Sequence, residues 1–344
     1  MIWLKPERLH IDDAVAIVSP SWGGPSVFPH IYDLGLHLLQ AWGLRVIEYP
    51  TARMAAAELA AHPELRAADI NRAFADPNIK AVIASIGGND SVRILPHLDA
   101  AVIAANPKIL LGYSDTTTLH VFCQLQGLVT LHGPSIMAGF AQMAVLPDYA
   151  AHVRHMLFVA APGHEYRPYA QYADGYPDWG NAAKAGHVNA LHLHEGWCLL
   201  QGQGVVEGVL FGGCLDVLEM VRETNFWPHP DFWTGKILCL ETSEEAPSVE
   251  VVSGILRSYG ALGIWDRVSA VLIGRAARYG DADKLALDQA LVAIIGGEYG
   301  RPDLPIFSNM DFGHTDPQLV LPLGVRARLD CTAKSFQLIE SWLR

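Results

Sequence analysis

The stretch Ala81-Val82-Ile83-Ala84-Ser85-Ile86 is apolar at every position but Ser85. A strand with one face in water alternates apolar and polar residues. A strand with almost no alternation is covered on both faces, as in a parallel sheet flanked by helices. The surrounding sequence agrees. Short apolar strands are predicted at Ala14 to Val18, Leu44 to Ile47 and Ile109 to Leu111. Between them, Ile31 to Trp42 carries Leu34, Leu38 and Trp42 at helical spacing, and Pro63 to Ala75 carries Leu65, Ile70 and Phe74. This is a βαβ layout. Its functional turns belong at the carboxyl edge of the sheet.

A chain of 344 residues is too long for one average domain. We divide it into an N-terminal domain (1–160), an interdomain loop or lid (161–203) and a C-terminal domain (204–344). The break rests on the run from Tyr166 to Gly180, which is aromatic, rich in proline and glycine, and without period. Long irregular segments in compact proteins often cover active sites; a plain linker with surface aromatics is the alternative. Beyond it, strands are predicted at Val205 to Phe211, Ile237 to Leu240, Ala270 to Ile273 and Val325 to Leu329. Helices are predicted at Leu215 to Val221, Val249 to Tyr259 and Lys284 to Ile295.

Three places carry chemistry. The strand Ile109-Leu110-Leu111 breaks at Gly112 and runs through Tyr113-Ser114-Asp115 into a helix from Thr116 to Gln124. A serine on such a strand-to-helix corner projects its hydroxyl clear of the backbone, and the new helix turn offers amides to a developing negative charge. Thr116 stands where the G-x-S-x-G signature has glycine, and Ser114 or Asp115 as a helix cap is the competing reading. The strand Ile237 to Leu240 ends at Glu241, a crevice position in an α/β sheet. His314 lies in a turn between Gly313 and Pro317. A serine nucleophile needs a base near neutral pKa, and that base needs a carboxylate to fix its tautomer. Ser114, His314 and Glu241 supply those roles. Taken singly, Glu241 also fits an ion-paired acid and His314 a hydrogen-bonded turn histidine.

The oxyanion of such a reaction needs two donors. The amide of Asp115 is one. Gly88 is the candidate for the other, because a glycine pair after a strand lets backbone approach substrate. No G-x-G-x-x-G or Walker pattern makes Gly87-Gly88 a phosphate loop. Arg275 follows the strand ending at Ile273-Gly274 and is a candidate for an anionic substrate group, or else a structural ion pair.

The formal charge of −12 argues against a nucleic-acid partner. The five cysteines show no C-x-x-C pair; four lie in apolar or small-residue contexts and read as buried thiols, and a reducing compartment is expected. No apolar stretch reaches membrane-span length, so no membrane partner is expected and the chain is placed in the cytoplasm. His192-Leu193-His194-Glu195 lacks a third ligand at clear spacing, so neither metal nor cofactor is expected.

At these motifs the chain resembles the LD-carboxypeptidase family of serine peptidases, which includes microcin-C immunity hydrolases. Gly112-Tyr113-Ser114-Asp115 matches its nucleophile motif, Leu240-Glu241 before an acid-rich turn its glutamate, and Gly313-His314 before Pro317 its histidine. Gly87-Gly88, His132-Gly133-Pro134, Gly212-Gly213 and Leu321-Pro322-Leu323-Gly324 also fall where the family has such elements. The resemblance spans roughly residues 10 to 340. It implies a Rossmann-like first domain and a smaller α/β second domain, swivelling or barrel-like, with the site where they meet. It implies hydrolysis of an amide near a substrate carboxyl terminus. The substrate is a peptidyl- or aminoacyl-nucleotide or, alternatively, a murein tetrapeptide. A binding module without activity is the reading from another class. Glu241-Thr242-Ser243-Glu244-Glu245 and Gly87-Gly88-Asn89-Asp90-Ser91 lie closer to the microcin-immunity branch, with Asn89 as a substrate contact. Trp179 is placed to stack on a nucleobase. A homodimer is the expected assembly.

Overall fold

The computed structural model describes residues 3–344. Strands β1 (Ala14–Val18), β2 (Arg45–Glu48), β3 (Ile79–Ala84), β4 (Ile109–Gly112) and β5 (Thr130–His132) form a parallel array in the order β5-β4-β3-β1-β2. Helices Pro29–Ala41 and Pro63–Ala75 are among its crossovers. The central strands are buried along almost their whole length, β1 without exception, as the lack of alternation at 81–86 demands.

The segment 161–203, expected to be irregular, holds four short strands: β6 (His164–Tyr166), β7 (Gln171–Asp174), β8 (Leu191–Leu193) and β9 (Cys198–Gln201). Three residues of exposed β8 offer too few positions for a period of two to register. The chain continues through β10 (Val205–Cys214), β11 (Lys236–Glu241), β12 (Ala270–Gly274), β13 (Ile306–Met310), β14 (Thr315–Asp316), β15 (Leu321–Leu323), β16 (Arg326–Asp330) and β17 (Ser335–Leu338). A second sheet takes the order β6-β17-β16-β10-β11-β12-β13-β9, parallel from β10 to β13 and antiparallel outside that. It is open at β6 and β9, so its strands do not close a barrel. Strands β14, β7 and β8 make a small third sheet.

The fold is the mixed α/β class with parallel sheets that the sequence implies. Among the features not read from it, two bear on the site. Strand β13, which leads into the His314 turn, was missed. Strand β15 leaves the second half and pairs antiparallel with β5, closing the edge of the first sheet, with Leu321 opposite His132.

The core follows from period-two side-chain placement. Val15, Ile17, Ile83 and Leu111 face one apolar layer, which continues through Ile237, Cys239 and Leu272 of the second sheet. Ala14, Ala16, Val18, Val82 and Leu110 face the other, which continues through Leu238, Leu240, Val271 and Ile273. Both layers run unbroken from one half of the chain to the other. Burial on that scale, at about 25 cal/mol per Å² of apolar surface, holds the two carboxyl edges together.

Candidate active site

Ser114 opens a short 3-10 turn, Ser114–Thr116, that leads into the helix Thr117–Leu125. Its φ is +57°. A non-glycine residue held there stores strain of roughly 1–3 kcal/mol, and such residues concentrate at functional sites. The corner is anchored by Asp115, which is fully buried. Its Oδ2 accepts the amides of Asp90 at 2.9 Å and Ser91 at 2.8 Å, and its carbonyl accepts the Ser91 hydroxyl at 2.7 Å. Asp115 therefore ties the serine corner to the loop after β3. That loop is held a second time by the fully buried Arg66, whose guanidinium meets both carboxylate oxygens of Asp90, at 2.7 and 3.1 Å. Burial raises the Asp115 carboxyl above its ordinary range, against the amides that favour its anion.

Gly87 is the loop residue that approaches Ser114. A Cβ added there would lie 2.9 Å from both Cβ and Oγ of the serine. Gly88, the expected oxyanion donor, has φ +148° and backs onto Ser21. Asn89 is exposed at the loop tip.

The second half brings the acid and the histidine together. Glu241 ends β11 and is 1% exposed; His314 follows β13 and is 4% exposed. His314 Nδ1 and Glu241 Oε2 are hydrogen-bonded at 2.7 Å. Gly313 makes this possible: its φ is +100°, and a Cβ there would lie 2.8 Å from Glu241 Cβ. The two halves meet at this point. The ring of Tyr113, next to Ser114, packs against the His314 ring with centroids 4.9 Å apart. The Thr117 hydroxyl accepts the amide of Cys214 at 3.0 Å.

The other imidazole nitrogen holds a surprise. Among the described residues no hydrogen bond joins it to Ser114. It lies 2.8 Å from Oε2 of Glu244. The pair is close enough for an ion pair but out of line for a hydrogen bond, and Nε2 has no hydrogen-bond partner. Burial alone would lower the His314 pKa, yet Glu241 and Glu244 outweigh it and hold it up at about 10. Glu244 is itself lowered to about 2: its partial burial opposes this, and contact with His314 prevails. Glu241 is raised by burial in spite of His314. For this buried pair we assign the proton to the imidazole, because two carboxylates face it.

Arg275 requires a correction. It is 1% exposed, hydrogen-bonded to Thr315 at 3.0 Å and ion-paired to buried Asp311, with Tyr172 stacked on its guanidinium at 4.1 Å. It braces the His314 turn, and these contacts favour the structural ion pair over a role toward a substrate anion. Trp179 is half-buried, edge-on to Phe28 at 5.8 Å and beside Tyr176 at 5.7 Å. Tyr176 in turn shares a 3.0 Å hydrogen bond with Tyr113. The 161–203 segment thus packs directly against the residues that follow β4. Among the described residues no group of three or more His, Cys, Asp or Glu is placed to hold a metal, and no helix is long and apolar enough to cross a membrane.

A corner serine and a buried carboxylate–imidazole pair thus lie where the two halves of the chain meet. Residues 15–133 match the family described as LD-carboxypeptidase N-terminal domain, and residues 207–329 the one described as LD-carboxypeptidase C-terminal domain. The chain belongs to the LD-carboxypeptidase family of serine peptidases. It is 27% identical to the microcin C7 self-immunity protein MccF of Escherichia coli, over 97% of this chain and 95% of that one. A structure of MccF with glutamyl sulfamoyl guanosine matches it with TM-score 0.87, at 25% identity over 99% and 100% of the two chains. An MccF-like protein from Streptococcus pneumoniae in complex with AMP matches with TM-score 0.85, at 29% identity over 96% and 99%. The murein tetrapeptide carboxypeptidase of Pseudomonas aeruginosa is 25% identical over 93% and 94%.

Proposed function

We propose that this chain cleaves an aminoacyl- or peptidyl-nucleotide at its amide bond through Ser114, His314 and Glu241. The observation that carries the reading is the buried 2.7 Å bond between Glu241 and His314, set against Tyr113 beside a serine at positive φ.

In the reaction, Ser114 Oγ attacks the scissile carbonyl as Nε2 of neutral His314 takes its proton. Glu241 holds the Nδ1–H tautomer and supports the imidazolium. The tetrahedral oxyanion is met by the amide of Asp115 and by the loop glycines, with Gly88 the donor we assign. The imidazolium then gives its proton to the leaving nitrogen, the C–N bond breaks and an acyl-serine remains. Water attacks it, with His314 again taking the proton, and Ser114 is restored.

The nucleotide half of the proposal is supported by the likeness to MccF in sequence and structure and by the aromatic group Phe28, Tyr176 and Trp179 beside the site. The test is parallel hydrolysis of an aminoacyl-sulfamoyl adenosine and a murein tetrapeptide by one preparation. Turnover of the first with little of the second is expected. The reverse would assign the chain to murein peptide, and turnover of neither would overturn the hydrolase reading.

A further inference from the structure

Glu244 stands three residues past Glu241, in the turn between β11 and the helix Val249–Ala261. The backbone of this turn is well held. The Ser243 amide donates to Asp216 Oδ2 at 3.1 Å, the Ala246 amide to the Ser243 carbonyl at 3.1 Å, and the Tyr279 hydroxyl to the Pro247 carbonyl. Ala246 sits at φ +49°. The Glu244 side chain is different: half of it is exposed, while its imidazole partner is 4% exposed. It reaches the base from the solvent side, and it can turn away without disturbing the turn.

It also contacts the wrong nitrogen for a resting triad. Nε2 has to face Ser114 for proton transfer, and here it faces a carboxylate at 2.8 Å. An imidazole between Glu241 and Glu244 stays protonated and has no lone pair to offer the serine. The other charged and titratable groups around it leave this balance standing. Asp216 and Asp316 add negative charge, Arg278 lies near Glu244, and buried His132 and Tyr113 remain neutral. Something must draw Glu244 off before the base works.

Geometry says what that is. Nε2 must serve the serine that attacks the scissile carbonyl. An ammonium on the carbon next to that carbonyl therefore arrives within a few ångströms of the Glu244 carboxylate. We propose that Glu244 is the acceptor for a substrate ammonium group α to the scissile carbonyl, and that this pairing releases His314 Nε2 to act on Ser114. The carboxylate exchanges one cation for another, and the imidazolium, left with Glu241 alone, gives its proton to solvent. Glu244 is thus a specificity residue, which arms the base when a free α-amino substrate is seated. The inference rests on the serine-hydrolase reading above.

The test compares an aminoacyl-sulfamoyl adenosine bearing a free α-ammonium with its N-acetyl derivative. Wild-type protein is expected to prefer the free amine in kcat/KM by about 10- to 150-fold, the worth of a hydrogen bond to a charged group. In Glu244→Gln the preference collapses. Because kcat/KM reports the free enzyme's base, its acid limb on the N-acetyl substrate moves to lower pH, the imidazole having lost one of two carboxylates. Glu244→Asp restores part of the preference. Melting curves of the variants stay close to wild type, since the side chain is half exposed. A preference kept in Glu244→Gln, or an acid limb that does not move, overturns the role of Glu244 while leaving the hydrolase reading intact. Hydrolysis of neither substrate by wild-type protein overturns both.

Discussion

The serine corner and the turn after β11 face the same space but are built differently. At the corner, the residue after Ser114 is tied down. Asp115 accepts two amides and a hydroxyl of the adjoining loop through its carboxylate and carbonyl, and Arg66 grips Asp90 from beneath. At the turn, Glu241 is as buried as Asp115, but Glu244 ends in solvent and holds the base by a contact that is not a hydrogen bond. A nucleophile gains from being fixed, since geometry sets its rate. A base that titrates with its surroundings gains from a partner that moves. On the mechanism proposed above, the contrast puts rigidity on the attacking atom and adjustment on the proton acceptor.

The largest test addresses the corner. Ser114→Ala should lower kcat by several powers of ten, with the melting curve unchanged, since alanine keeps the Cβ and with it the strain at φ +57°. Near-wild-type activity would remove the corner from the chemistry altogether. Glu241→Gln comes next. The amide keeps the shape of the side chain but no longer favours the Nδ1–H tautomer or supports the imidazolium, so a fall of about 10²–10⁴-fold in kcat is expected. Greater sensitivity at Glu244 than at Glu241 on the same substrate would invert the two carboxylates' roles.

Asp115→Ala tests rigidity itself. It leaves the amides of Asp90 and Ser91 without their acceptor, at a cost of about 1–3 kcal/mol for each buried donor. A lowered denaturant midpoint should accompany a loss of activity. If Asp115→Ala melts like wild type, the corner is no stiffer than the turn and the contrast fails.

How far this arrangement could be read beforehand depended on range. The corner was legible because an apolar run, Gly112 and a new helix lie within a dozen residues. Glu241 was legible as the end of an apolar strand, and His314 as a turn residue between Gly313 and Pro317. What stayed hidden were contacts between distant segments. Nothing local distinguishes Glu244 from Glu245; only the packing of β11 against the turn after β13 brings the first to Nε2. Arg275 sits at a carboxyl edge, where a binding residue belongs, yet Asp311 and Tyr172, far along the chain, bury it. Gly87 and Gly88 form one signal in sequence, and only the fold shows which of them Ser114 touches. Likewise Leu321–Leu323 is too short to announce that it crosses back to pair with β5.

The smallest expected effect concerns the aromatic group that joins the two regions from the side. Trp179 meets Phe28 edge-on and leans on Tyr176, whose hydroxyl bonds to that of Tyr113. Two roles fit that placement. If Trp179 stacks on a base, Trp179→Ala should weaken nucleotide-bearing substrates by about 5- to 150-fold, the range for one stacked base. A murein peptide has no base, and its kcat/KM should hold. If Trp179 serves to keep Tyr176 against Tyr113, its loss loosens the cover over the corner. Both substrates then suffer alike, and the melting temperature falls with them. The Trp179 carbonyl is held by His30 at 2.9 Å through the backbone and survives either way, so the comparison isolates the ring. Measuring kcat/KM for both substrates alongside melting curves separates the two. Equal losses that track the melting temperature would extend the corner's rigidity to the 161–203 segment and withdraw the aromatic group's support for a nucleotide substrate.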